Sequence, residues 1–137
     1  MAYKFDAKAR YAKSHEWVRV SGDTATVGIT DHAQHELTDI VFVELPELNR
    51  QVEAGEEIAS LESVKAVGYV YAPIGGTIVA ANEKLTKQPE LVNQDPYGEG
   101  WIARIQPDDP EETVDLLDAV AYRLKVEAPA EQEEEGS

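Results

Sequence analysis

Glu62-Ser63-Val64-Lys65-Ala66-Val67 sets a single lysine between two runs that read as strands. Before it, Glu57-Ile58-Ala59-Ser60-Leu61-Glu62-Ser63 mixes apolar and polar residues. After it, Val67-Gly68-Tyr69-Val70-Tyr71 is rich in the β-branched and aromatic side chains that suit a pleated surface. Strands joined by so few residues pair antiparallel, since a parallel crossover needs about a dozen residues or more. Val64-Lys65-Ala66 therefore reads as a tight turn with Lys65 at its tip.

A solvated side chain is the ordinary account of any one lysine, but the flanks of this one are patterned. Val52-Glu53-Ala54-Gly55 leads into the first strand and Ala72-Pro73-Ile74-Gly75-Gly76-Thr77-Ile78-Val79 leads out of the second, a quasi-repeat about the turn. Two such β-units around a lysine-bearing turn resemble the lipoyl and biotinyl carrier fold. That resemblance implies a mainly β chain forming a flattened β-barrel (barrel-sandwich hybrid), with the modified lysine on an exposed hairpin. Biotin carriers set methionine on each side of the lysine, whereas Val64 and Ala66 stand here, so the resemblance points to lipoate. Glu62 matches the acidic residue that lipoyl-attaching enzymes look for before the lysine.

A chain of 137 residues is one domain's worth. It has no cysteine, which excludes disulfides, thiolate metal sites and thiol catalysis by the polypeptide. Sulfur redox chemistry would have to arrive on a cofactor. Twelve basic against 27 acidic side chains give a net charge of −15, a field that repels nucleic acid and anionic lipid. Such acidity suits solubility, and it also suits steering toward basic faces of partner enzymes. The start of the chain has no apolar signal core and no stretch is long and apolar enough to span a membrane, so a cytoplasmic protein without membrane partners is expected.

Residues 1–12 read as an N-terminal arm whose Tyr3, Phe5 and Tyr11 could dock on a core. Residues 13–125 form the carrier domain. Ser14 to Val20 and Thr24 to Ile29 are strands around a Ser21-Gly22-Asp23 turn, with Trp17 as a core anchor. Thr30 or Asp31 can cap a short helix to Leu37. His32 and His35 on that helix could suggest a metal site, but no third ligand accompanies them, and a solvated helix face is the better account. Ile40 to Pro46 is an apolar strand, and Asn49 suits a turn with positive φ. Gly76 to Asn82 is another strand, Pro89 to Asn93 a helical turn, and Trp101 to Ile105 a last strand. Asp109-Pro110-Glu111-Glu112 looks like a helix start, and Val114, Leu117, Ala121 and Leu124 recur at helical spacing, which predicts an amphipathic C-terminal helix packed on the barrel. Residues 126–137 read as a disordered acidic tail.

Taken in order, Ser14-His15-Glu16-Trp17, Val27-Gly28-Ile29-Thr30-Asp31, Asp39 to Pro46, Glu62-Ser63-Val64-Lys65-Ala66, Glu90-Leu91-Val92-Asn93 and Asp95 to Trp101 resemble the H protein family of the glycine cleavage system. The resemblance implies a carrier without an active site of its own, with lipoate in amide linkage to Lys65. Its implied partners are a lipoyl-attaching enzyme, glycine decarboxylase, aminomethyltransferase and dihydrolipoamide dehydrogenase, and a monomer is expected. By position, Ser14 and Glu16 match residues lining the cleft that receives the loaded arm. Members of the family usually place Ser-Asp where this chain has Gly68-Tyr69, which puts Tyr69 in the place of a cleft carboxylate. That departure leaves an alternative open: H-like lipoate-binding proteins that carry a sulfur intermediate to a heterodisulfide-reductase-like complex in sulfur oxidation.

Overall fold

Ala25 and Val27 alternate with the less buried Thr24 and Thr26, and Ile78 and Ile105 with less buried neighbours on either side, each buried in the core between the layers. This period-2 pattern builds two antiparallel sheets that close on one apolar core. The computed structural model describes the backbone of residues 3–136 and the side chains of residues 3–127. The strands are β1 (Arg10–Tyr11), β2 (Glu16–Ser21), β3 (Thr24–Ile29), β4 (Ile40–Glu44), β5 (Gln51–Val52), β6 (Glu57–Ser63), β7 (Val67–Tyr71), β8 (Gly76–Ala81) and β9 (Ala103–Pro107). A six-stranded sheet runs in the order β1-β2-β3-β9-β8-β5, and a three-stranded sheet in the order β4-β6-β7. The smaller sheet contributes Val43, Leu61 and Val70 to the core, which Ile74, Leu85, Val92 and Ile102 close at its ends.

Three α-helices complete the described residues: α1 (Asp31–Leu37), α2 (Leu91–Gln94) and α3 (Ala119–Gly136). Thr30 caps α1, its Oγ1 accepting the Ala33 N–H at 3.1 Å. Asn93 on α2 does more than stop a helical turn. Its Nδ2 donates to Gln34 Oε1 and to the Thr38 carbonyl, and its Oδ1 accepts the Ile40 N–H at 2.9 Å, tying α2 to α1 and to the start of β4. Asn49 takes the positive φ expected of it, 67°.

A second cluster forms where the two ends of the chain meet. Tyr11, Trp17 and Tyr122 are fully buried with Ala9, and Phe5, Tyr97, Trp101 and Leu117 pack against them. Trp17 lies opposite Gly28 across the β2–β3 ladder, where a Cβ on Gly28 would stand 2.7 Å from Trp17 Nε1. The indole N–H donates to the Pro96 carbonyl at 3.0 Å, so the anchor expected from the sequence is both packed and satisfied.

Two expectations require correction. The C-terminal segment is not one amphipathic helix. Asp109 caps a 3-10 turn over Pro110–Asp115, and the chain then extends so that Leu117 bridges Tyr11 before α3 begins. Exchange of two backbone hydrogen bonds between Tyr11 and Leu117 outweighs helical continuity there. Val114 and Leu124 are accordingly exposed, at 66% and 62%, and among the described side chains of α3 it is Tyr122 that is fully buried. The histidine face of α1 is not simply solvated either. Tyr3 of the N-terminal arm packs on His32 and His35, His15 packs on the other side of His32, and the His32 side chain is only 16% exposed. The tail expected over 126–137 falls mostly beyond the described side chains, although α3 carries the backbone through it to Gly136.

Candidate functional site

β6 and β7 pair from Glu57↔Tyr71 to Glu62↔Val67, leaving Val64, Lys65 and Ala66 as the turn. Ser63 ties that turn off. Its N–H donates to the Ala66 carbonyl at 2.8 Å, and its Oγ accepts the N–H groups of Lys65 and Ala66 at 3.2 and 3.0 Å. A serine hydroxyl thus stands in for the carbonyl that a simple turn would use. From the bend just before β4, the Asp39 carbonyl accepts the Val64 N–H at 3.3 Å. Lys65 and Glu62 are both exposed, and among the described residues the Lys65 ammonium makes no hydrogen bond or ion pair. The turn is fixed by its backbone while the amine stays available.

Ser14 and Glu16 are brought together, with Ser14 Oγ donating to Glu16 Oε1. Glu16 is 2% exposed, and its other oxygen accepts the Tyr71 N–H at 3.1 Å, on the free edge of the strand that leaves the lysine turn. Burial pushes the Glu16 carboxyl up to about 7, against the hydrogen bonds from Ser14, Tyr71 and its own backbone that favour its charge. Between the two residues, His15 adopts φ 73°, a left-handed conformation uncommon outside glycine. His15 is held there from α3: Tyr122 Oη lies 2.7 Å from its Nδ1 and 2.8 Å from Thr30 Oγ1. Desolvation first, then the neighbouring His32 and Lys125, lower the basicity of His15. With His15 neutral, a consistent chain runs from Thr30 O–H to Tyr122 and from Tyr122 O–H to His15 Nδ1.

Tyr69 projects from the outer face of the small sheet, 51% exposed, and among the described residues it makes no hydrogen bond to the Ser14–Glu16 pair. Gly68 faces the other way. A Cβ there would come within 2.9 Å of the Leu37 methyls, so the leucine of α1 occupies the space that a serine would claim. His32 and His35 stand 3.7 and 3.6 Å from Glu36 and Asp31, and among the described residues no group of three or more metal-ligating side chains forms. Sequence reasoning singled out Lys65, Glu62, Ser14 and Glu16 but not Ser63 and Tyr122, which the structure places beside them. A serine immediately before a turn is a signal that could have been used, whereas the reach of Tyr122 to His15 is 107 residues long and has no local signature.

A two-layer β sandwich that lifts one unpaired lysine on a locked hairpin defines a carrier domain of the barrel-sandwich kind. The chain matches the family described as glycine cleavage H-protein over residues 9–128. A protein of Haloarcula marismortui named a probable glycine cleavage system H protein is 52% identical, over 93% of this chain and 100% of its own. The glycine cleavage system H protein of Pseudoalteromonas atlantica is 59% identical, over 86% and 92%. Among solved structures, the crystal structure of a glycine cleavage system H protein from Mycobacterium marinum superposes with a TM-score of 0.79 at 36% identity, covering 86% of this chain and 95% of that one. The chain belongs to the glycine cleavage H-protein family, whose members are non-catalytic lipoyl carriers.

Proposed function

We propose that Lys65 is the attachment point of lipoate and that the chain shuttles an aminomethyl intermediate between the enzymes of the glycine cleavage system. The observation that carries this reading is the hairpin itself: an unpaired, exposed amine on a turn whose backbone is held by Ser63 and Asp39. Lipoate in amide linkage supplies the thiol redox chemistry that a chain without cysteine lacks. Glycine decarboxylase, aminomethyltransferase and dihydrolipoamide dehydrogenase are the partners this role requires, after a lipoyl-attaching enzyme that reads Glu62. A cytoplasmic monomer suits a carrier that visits several active sites; among the described residues no helix is long and apolar enough to cross a membrane.

Ser14 and Glu16 form the polar part of the cleft for the loaded arm. Glu16 can accept a hydrogen bond from a cationic amine, and such a partner would draw its carboxyl down from about 7 toward the ionised form. Tyr69 lies on the strand that supplies the Tyr71 N–H to Glu16, and in the place of a carboxylate it leaves Glu16 as the sole acid of the pair. The sulfur-carrying alternative is not favoured, because the relatives at 52% and 59% identity carry glycine cleavage names.

Intact mass after incubation with a lipoate ligase, followed by glycine–bicarbonate exchange with glycine decarboxylase, tests the reading. The native chain should gain one lipoyl group and support exchange, and Lys65→Ala should do neither. An inert native protein whose Tyr69→Asp variant gains exchange would overturn the aminomethyl assignment.

A further inference from the structure

The outer face of the small sheet carries two cross-strand rows beside the lysine turn. Phe42, Glu62 and Val67 pair in register, and Glu44, Ser60 and Tyr69 form the next row. Residues opposite one another in an antiparallel ladder share a face, so the rows make one surface. A bulge between Ile40 and Phe42 opens the β4–β6 ladder beside the base of the turn and leaves Val41 exposed together with Phe42, at 54% and 52%. Val64 is 71% exposed, Val67 50% and Tyr69 51%. Five large apolar side chains are thus turned outward around a single lysine, where water alone would favour polar residues.

Within β4, β6, β7 and the lysine turn the charge has one sign apart from that lysine. Glu44 and Glu62 are exposed within the rows, Asp39 is exposed beside them, and Lys65 is the only basic residue in β4, β6, β7 and their turn. The complement of such a surface is an apolar depression with a Lys/Arg rim. Which partner supplies it follows from reach. Amide formation joins the Lys65 Nζ to an activated lipoyl carboxyl carbon, releases the activating group with its electron pair, and frees the two protons the ammonium sheds. An enzyme doing this must bring its catalytic groups to Nζ itself, a side chain's length from the hairpin backbone. Its rim then rests on the strands that flank the turn. Enzymes that use the far end of a completed arm place their catalytic groups an arm's length away, so their chemistry does not require them to close on these strands.

Resting on the carrier reading above, we infer that Phe42, Val67 and Tyr69, the apolar members of these two rows, are the docking surface for the lipoyl-attaching enzyme, which meets them with an apolar patch rimmed by basic residues.

The test follows lipoylation of the full unmodified chain by intact mass with a purified lipoate–protein ligase. Phe42→Ser and Val67→Thr should each lower kcat/KM roughly tenfold, the size typical of central interface anchors. Glu62→Gln should lower it several-fold at low salt, with the difference shrinking as salt screens the pair. Val79→Ser, on the other sheet and 44% exposed, should match the native rate. Once fully lipoylated by prolonged incubation, Phe42→Ser should support glycine–bicarbonate exchange within about twofold of native, since a surface read at the amine is distinct from one read at the arm's end. A native chain that gains no lipoyl mass would sink the carrier reading itself. A native chain that is lipoylated while Phe42→Ser and Val67→Thr keep its rate would overturn only this inference, as would an equal loss of lipoylation and exchange. Circular dichroism melts of each variant separate slower docking from unfolding, and Val41→Ser, on the same exposed apolar surface and outside the arm cleft, serves in place of either variant that unfolds.

Discussion

Glu16 and His15 are adjacent residues whose burial acts oppositely on the pH dependence of stability. The Glu16 carboxyl, at about 7 in the fold against 4.5 when free, keeps its proton over a range where the unfolded chain has lost it. Stability from this group is therefore full below about pH 4.5 and declines as pH rises toward 7, by on the order of 3 kcal/mol at about 1.4 kcal/mol per unit. Glu16→Gln should flatten that decline, as chemical melts at a series of pH values would show; an unchanged slope would mean that Glu16 is solvated. His15 runs the other way. Its basicity is lowered by burial, so below its free value of 6.5 the unfolded chain binds the extra proton and stability falls as pH drops. An NMR titration of the imidazole should place His15 below 6.5, and a value above it would contradict the buried, neutral ring.

Among the elements, the lysine hairpin and the clasp between the chain ends carry the site. Ser63→Ala removes an acceptor from two turn N–H groups, which should cost about 1 kcal/mol and raise hydrogen exchange at Lys65 and Ala66 without altering the sheets. Exchange at those amides equal to native would show that the hydroxyl does not hold the turn. Tyr122→Phe strips the hydroxyl that joins His15 to Thr30 and should cost about 1–3 kcal/mol by leaving buried polar groups unpaired, read as a lowered melting temperature. The hairpin was legible in sequence because its strands are local and its β-propensity is strong. So were the capped α1 and the Trp17 anchor. The clasp was not, because it depends on Tyr11 and Leu117 exchanging hydrogen bonds across the whole chain, and helical spacing in Val114, Leu117, Ala121 and Leu124 pointed to one continuous helix instead. Glu16 was legible as an acid on the first long strand, but its burial was not, because the Tyr71 N–H that meets it lies 55 residues away.

Over the molecule as a whole, a net charge of −15 should govern encounter with partners. Association with any basic partner enzyme should slow steeply between low and physiological salt, while the dissociation rate changes less, as stopped-flow measurements would reveal. Salt-independent association would mean that the acids serve solubility alone. The tied-off turn has a further effect. A hairpin that held its lysine loosely would spread a tethered group over the wandering of the backbone as well as its own bonds. With Ser63 and Asp39 holding the backbone, the turn is a fixed pivot, and a docked partner meets a probe confined to the volume that the tether's own bonds can sweep. The effective concentration of that probe at an active site is then set by the length of the tether and the docking angle, so partners of different shape can be served at the same local concentration if each docks at the same distance from Lys65.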